Sequence, residues 1–115
     1  MTPRGALMFT AVSTWSAPGA AVADAFEEHY RSTHVPLAQA VPNTLGLMLI
    51  RTAAALPGEQ SAFYRAVVMS FADEASFAAA TRTPQWDSLR ADSALMIERF
   101  GVRLLTGMGV PEIII

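Results

Sequence analysis

The two histidines of the chain, His29 and His34, are the side chains best suited to proton chemistry near neutral pH. His34 follows Tyr30 by four positions and Phe26 by eight. These spacings place the three side chains on one face of a helix. We therefore expect the His34 ring to point into the protein, toward the sheet that the helix covers.

His34 and Tyr30 are the predicted catalytic residues. Burial favours the neutral imidazole of His34, whereas a position in the last turn of a helix favours the protonated one. Such opposed effects would hold its pKa near neutrality, as a general acid or base requires. Tyr30 would hydrogen-bond a ligand carbonyl or orient the imidazole. The alternative is structural: a core histidine bonded to a backbone carbonyl, and a tyrosine that only packs.

His29 lies five positions before His34, which is about 140° around an α-helix. We therefore predict that the two rings diverge and that His29 is a partly exposed surface side chain. The spacing also differs from the i, i+4 histidine pair of helical zinc sites, so no metal site is predicted. Glu27 and Arg31 are predicted to form an exposed i, i+4 ion pair.

Five further side chains are predicted to contact a ligand: Trp86, Arg51, Tyr64, Met48 and Phe9. Trp86 would stack on an aromatic ring, and Arg51 would hold a carboxylate or phenolate unless it forms a salt bridge across a dimer. Phe9 and Met48 are expected in the core, with pocket lining as a second role. Tyr64 and Arg65 are adjacent, so we expect them to face opposite sides of a strand.

Composition excludes several classes of protein. Hydrophobic residues make up 52% of the 115-residue chain and charged residues 16%, which indicates one folded domain (1–115). The net charge of −2, with eight scattered arginines, gives no footprint for nucleic acid. The absence of cysteine excludes disulfides and thiolate chemistry. No apolar run is long enough for a membrane span and no secretory signal pattern is present, so a cytoplasmic location is expected.

The order of predicted elements is strand-helix-strand, repeated once. The predicted strands are 6–13, 45–52, 63–71 and 102–110, with a loop at 53–62 and breaks at Pro84 and Gly101. One helix begins at residue 20, with a break or kink at Pro36 and a further turn at 37–41, and another begins after an N-cap at Asp73. Two such units form an α+β, ferredoxin-like fold: a split βαβ pair with a four-stranded antiparallel sheet and helices on one face.

The strands are apolar on both faces, as in Leu47-Met48-Leu49-Ile50 and Val67-Val68-Met69. Helices cover only one face in this fold, and alternation would be expected if the other face met water. We therefore predict a homodimer in which two sheets close into a dimeric α/β barrel.

The stretch Phe26-Glu-Glu-His29-Tyr30-Arg-Ser-Thr-His34-Val-Pro36-Leu37 resembles the helix-end signature of the EthD family, which lies in the dimeric α/β-barrel superfamily. Ser70-Phe71-Ala-Asp73-Glu74-Ala-Ser-Phe77, followed by Thr83-Pro84-Gln-Trp86, resembles that family's third strand and second helix. The similarity spans Leu7 to about Met108. It implies a small dimeric barrel with a pocket between the helices and the sheet.

The resemblance also implies a class of chemistry. Family members are linked to small organic compounds, and relatives catalyse cyclisation, decarboxylation, dehydration or lactone isomerisation without cofactors. Such domains often carry an acidic residue shortly before the phenylalanine that closes the third strand. The corresponding residues here are Val67-Val68-Met69, so acid chemistry from that strand is not expected.

Residues and resemblance together predict a cofactor-independent enzyme acting on an apolar aromatic or polyketide-like carbonyl compound by general acid/base proton transfer. The reaction would be of the cyclase, dehydratase, decarboxylase or isomerase type. The alternatives are a non-enzymatic small-molecule-binding or accessory barrel, and a cofactor-free monooxygenase on the same fold. The expected partners are a small apolar ligand and a second copy of the chain, with neither nucleic acid nor membrane.

Overall fold

A computed structural model describes residues 8–114. Four strands, β1 (Phe9–Trp15), β2 (Thr44–Arg51), β3 (Arg65–Phe71) and β4 (Leu104–Gly109), form one antiparallel sheet in the order β2-β3-β1-β4. This strand order confirms the predicted α+β, ferredoxin-like fold. Of the predicted first strand, Ala6 and Leu7 lie outside the described residues.

Helical segments connect the strands. A 3₁₀ turn (Ala20–Val22), α1 (Ala23–His29), a π-helical segment (Tyr30–His34) and α2 (Val35–Gln39) follow one another between β1 and β2. The helices α3 (Glu74–Ala80) and α4 (Pro84–Phe100) lie between β3 and β4. Within residues 8–114, no helix combines the length and apolar character that a membrane crossing needs.

The predicted ends of the second helical region are confirmed. The Asp73 side chain accepts a hydrogen bond from the Ser76 N–H at 2.7 Å, which makes it the N-cap of α3. Thr83 caps α4 in the same way, and Pro84 occupies its first turn, where no N–H is needed. Gly101 ends α4 in the left-handed region, at φ 67°.

At Pro36, where a break or kink was predicted, the helix is widened rather than interrupted. Val35 keeps helical angles (φ −60°, ψ −46°), and its N–H donates to the Tyr30 carbonyl five residues earlier. Proline has no N–H and its ring crowds the preceding turn. A wider turn with bonds between residues five apart accommodates that ring without ending the helix. The helical region therefore continues to Gln39.

The two faces of the sheet differ. On one face, side chains from β1 and β3 pack against the helices and include the fully buried Trp15 and Phe71. The opposite face carries large apolar side chains that are open to solvent, namely Val12, Met48, Ile50 and Leu105. The predicted apolar character of both faces is therefore present in the structure.

Candidate functional site

The π-helical segment brings both histidines to one carboxylate. Asp92 of α4 lies with Oδ1 2.8 Å from His29 Nε2 and Oδ2 2.8 Å from His34 Nδ1. A π-helical hydrogen bond joins residues five apart, so residues at that spacing lie closer to one face than in an α-helix. The predicted divergence of the two rings was therefore wrong, but His29 is partly exposed, as predicted, and does not line the cavity beside His34. The His29 side chain is only 13% exposed.

His34 is buried, as predicted, and its tautomer is fixed by Asp92. Carboxylate oxygens accept hydrogen bonds, so Nδ1 of His34 donates and Nε2 is left with the lone pair. Nε2 has no hydrogen-bond partner within residues 8–114. Burial lowers the pKa of His34 below its usual value, while the hydrogen bond and the charge of Asp92 oppose that shift.

The source of the opposing effect differs from the prediction. Because the helical region runs on to Gln39, His34 is not in its last turn, and the helix dipole is not the main support for a protonated ring. Asp92 takes that role. The widened turn also buries His34 and leaves Thr33 exposed.

Tyr30 lies beside His34 with its ring almost fully buried. It stacks on His34 with ring centroids 5.8 Å apart, and on Phe26 at the same distance. Its hydroxyl forms no hydrogen bond within the described residues. Burial raises the pKa of Tyr30, which the nearby Arg65 guanidinium partly offsets, so the phenol stays protonated at neutral pH.

A second polar cluster supports the far side of Tyr30. The Glu27 carboxylate accepts hydrogen bonds from Arg65 and from the Tyr64 hydroxyl, at 3.0 Å for Tyr64. The Arg65 guanidinium lies 4.8 Å from the Tyr30 ring centroid. The predicted Glu27–Arg31 pair is present at 3.9 Å, but Arg65 is the closer partner. Burial raises the pKa of Glu27, and its bonds to Arg65 and Tyr64 outweigh that and leave it lowered.

A cavity of about 320 Å³ opens beside His34 and Tyr30, between the helices and the sheet. Its polar lining consists of Ser13, Tyr30, His34, Arg90, Ser93 and Thr106. Its apolar lining includes Ala11, Trp15, Val35, Ala38, Leu49, Val67, Met69, Phe77, Trp86, Leu89, Leu104 and Met108. The resemblance predicted a pocket at this position.

The predicted ligand contacts divide into two groups. Trp86 lines the cavity together with His34 and Tyr30, and packs edge-on against Phe77 at 5.8 Å. Four other predicted contacts, Arg51, Tyr64, Met48 and Phe9, do not line it.

Each of these four has a structural reason to lie elsewhere. Met48 is on the open face of the sheet and Phe9 packs against Phe77 at 5.2 Å. Arg51 lies over the Tyr64 ring at the end of β2. Tyr64 precedes β3, so strand alternation does not separate it from Arg65, and both reach Glu27.

Sequence reasoning missed Asp92 and Trp15. Asp92 lies three positions after Leu89 and four before Met96, so it is a charged residue on the buried face of α4. A charge on an otherwise apolar helical face was the available signal. Trp15 lies beyond the predicted end of β1. Its indole N–H is buried without a hydrogen-bond partner among the described residues, and its ring lies 5.4 Å from that of His34.

The three ionisable side chains His29, His34 and Asp92 are joined by hydrogen bonds. Both imidazole nitrogens that face Asp92 lie at hydrogen-bond distance from its oxygens. Between residues 8 and 114, no group of three His, Cys, Asp or Glu side chains is arranged to hold a metal ion.

Solved structures share this fold. An ethyl tert-butyl ether D (EthD) family protein from Bacillus halodurans C-125 is 27% identical over 88% of this chain and 97% of its own, with a TM-score of 0.67. A dimeric ferredoxin-like protein of unknown function from Thermobifida fusca YX is 15% identical, with a TM-score of 0.66 over 91% of this chain and 92% of its own. SnoaB from Streptomyces nogalater, a cofactor-independent oxygenase, is 17% identical, with a TM-score of 0.56 over 93% and 95%.

The comparison with family models identifies the family. No curated protein sequence matches the chain. The family model of the EthD domain matches residues 20–99, which include the histidines, the π-helical segment and Asp92. The match covers well over half of the chain, which therefore belongs to the EthD family.

Proposed function

We propose that this protein is a small enzyme that moves a proton on an apolar carbonyl compound without a cofactor. One observation carries the proposal: a buried imidazole borders an apolar cavity while a buried carboxylate fixes its other nitrogen. That arrangement holds a base in one tautomer and orientation, as general acid/base catalysis requires. His34 is the base, and Asp92 orients it.

The proposed reaction begins with removal of a proton next to a carbonyl. His34 Nε2 takes the proton, and the electrons of the C–H bond move onto the carbonyl oxygen as an enolate. The Tyr30 hydroxyl is protonated and has no other partner in the described residues, so it is suited to donate to that oxygen. The enolate then attacks a second carbonyl or expels a leaving group, and His34 returns the proton.

The cavity favours a ligand with an aromatic or polyketide-like body. Its lining is mostly apolar, and its volume is near the lower end of the range for small-molecule sites. The indoles of Trp86 and Trp15 offer flat surfaces for a ring. The buried, unpaired N–H of Trp15 is a further donor that a ligand oxygen would satisfy.

We also propose that two copies pair through the open faces of their sheets. Leu105 is 71% exposed and Met48 is 55% exposed on that face. Apolar patches of this kind mark interaction surfaces. The Thermobifida fusca protein with the same fold is described as dimeric.

The proposed reaction is tested by finding a ligand and then replacing the base. A thermal-shift screen of aromatic acids, quinones and polyketide mimics would supply the ligand. We expect His34→Gln to lower turnover by about 10²–10⁴-fold and Tyr30→Phe to lower it less. Thr33→Ala, which changes the exposed neighbour, is the matched control. Full turnover by His34→Gln would refute the proposal.

Two alternatives remain in view because the lining is largely apolar and because SnoaB is a cofactor-independent oxygenase. A binding or accessory barrel would keep its ligand affinity in His34→Gln and would turn over no compound of the panel. A cofactor-free monooxygenase would consume oxygen in step with product. An oxygen electrode in the same assay separates the three functions.

A further inference from the structure

Asp92 is shared by two imidazoles that face different surroundings. The exposed part of His34 borders the cavity, and its side chain is 8% exposed. His29 does not line that cavity, and its side chain is 13% exposed. Both are held at 2.8 Å by the same carboxylate, which is itself buried. The array therefore connects the inside of the cavity to the outside of the protein.

The array is best suited to hold a single positive charge. One imidazolium neutralises the Asp92 carboxylate, whereas two would leave an uncompensated charge in a site with little water. The charge of His29 acts against protonation of His34, and Asp92 acts in favour of it. The protonation of either ring is therefore expected to oppose that of the other.

We infer that His29 and His34 exchange one positive charge across Asp92, so that proton uptake from the cavity releases a proton at the outer surface. This inference rests on the proposed role of His34 as the base. In this scheme the charge lies on His29 before the reaction, because His34 is the more deeply buried of the two rings. When the ligand C–H bond breaks and an N–H bond forms at His34 Nε2, the N–H bond at His29 Nδ1 breaks and its proton passes to water.

No proton needs to cross Asp92 in this scheme. His34 Nδ1–H and His29 Nε2–H keep their bonds to the two carboxylate oxygens throughout. His29 therefore acts only through Asp92 and His34 and does not touch the ligand. Its contribution is electrostatic: once His29 has become neutral, the Asp92 carboxylate is free to stabilise the positive charge on His34.

Few other charged groups face the two rings. On the same helical region, Tyr30 stacks on His34, and β1 contributes the uncharged Trp15. On α4, Phe100 packs against His29, with ring centroids 6.0 Å apart, and carries the Arg99 guanidinium on its face. Among residues 8–114, the charged residue that lines the cavity beside His34 is Arg90, which is exposed.

The test is an NMR titration of the histidine rings, which needs no substrate. In the wild-type protein, we expect the His34 resonances to shift in two steps, the second coinciding with the titration of His29. In His29→Gln, a side-chain amide keeps a donor toward Asp92 but does not titrate. We expect one step for His34, with its pKa raised by about one unit. Arg31→Gln, which removes an exposed positive charge nearby, is expected to leave His34 unchanged.

The outcomes separate this inference from the proposed function. Independent single-step curves for the two rings in the wild-type protein would overturn it, even if His29→Gln failed to fold. An unchanged His34 pKa in folded His29→Gln would overturn it as well, because a purely structural His29 predicts that result. Once a substrate is known, the acid limb of the pH–rate profile is expected to shift upward with the His34 pKa in His29→Gln. Loss of turnover in His34→Gln tests the base itself.

Discussion

At the scale of single residues, Asp92 determines what His34 can do. A buried histidine without a charged partner is simply harder to protonate. Here the carboxylate holds one nitrogen, leaves the other with its lone pair, and counteracts the effect of burial on the pKa. The sequence pointed to His34 through its spacing from Tyr30 and Phe26. It did not point to Asp92, 58 positions along the chain, whose carboxylate accepts the hydrogen bond from the ring.

The first residue-scale prediction concerns Asp92→Asn, which removes the charge and keeps the shape. We expect the pKa of His34 to fall below its wild-type value, because burial then acts without the opposing carboxylate. The lost hydrogen bond is expected to cost about 1–3 kcal/mol of unfolding free energy. Histidine NMR titration and urea unfolding measure the two effects. Asp87→Asn, on the same helix but exposed, is the control.

The same variant predicts a change in the pH dependence of stability. His34 has a folded-state pKa below its usual 6.5, so the unfolded chain binds the proton more readily. Its contribution to stability is complete above pH 6.5 and is lost as the pH falls through the folded-state pKa. Asp92→Asn lowers that pKa further. The loss of stability caused by protonation of His34 is therefore expected to continue to lower pH and to be larger in total. A shallower acid dependence in the variant would contradict this account.

At the scale of elements, the π-helical segment is the feature that assembles the site. An α-helix over the same residues would place His29 and His34 on different faces, as the sequence predicted. One extra residue in the turn realigns them, with His34 buried and its neighbour Thr33 exposed. A π-helical turn is equivalent to an α-helix with one inserted residue, and such turns are often found at functional sites.

The prediction for this element is that deletion of Thr33 keeps the array. Without Thr33, the two histidines are four apart, and an α-helix then places them on one face. We expect a folded protein whose His34 still titrates under the influence of Asp92. Insertion of an alanine between Ser32 and Thr33 is the opposite change and is expected to turn His34 away from Asp92. Histidine NMR and circular dichroism distinguish the results. If the His34 pKa in the deletion variant no longer depended on Asp92, the prediction would be contradicted.

Elements with local signals were predictable and those that depend on packing were not. The N-cap at Asp73, the stop at Gly101 and the four strands follow from turn chemistry and apolar patterns. The widened turn before Pro36 has no such signal, because an ordinary break satisfies the same local rules. The ends of β1 and β3 differ from the predicted ends for a related reason. The pairing with neighbouring strands decides where a strand stops, and that pairing is not visible in the local sequence. The order of elements and the EthD resemblance both predicted the α+β, ferredoxin-like fold, and the comparisons confirmed it.

At the scale of the whole molecule, the open face of the sheet is the apolar surface that the chain does not bury by itself. Helices cover one face and enclose the cavity, while Val12, Met48, Ile50 and Leu105 remain exposed on the other. Because β1 and β4 also form the floor of the cavity through Ala11, Ser13 and Thr106, a partner on the open face would stiffen the strands beneath His34. Pairing and catalysis would then share one sheet.

Leu105→Glu tests the pairing of two copies through this face. The side chain is 71% exposed in the isolated chain, so the variant is expected to fold. A twofold interface contains each substitution twice, and a carboxylate buried without a partner costs several kcal/mol. We therefore expect sedimentation to give a dimer for the wild-type protein and a monomer for Leu105→Glu. Leu95→Glu, at a half-exposed position of α4, is expected to remain dimeric. A monomeric wild type at micromolar concentration, or a dimeric Leu105→Glu, would show that this face does not form the interface.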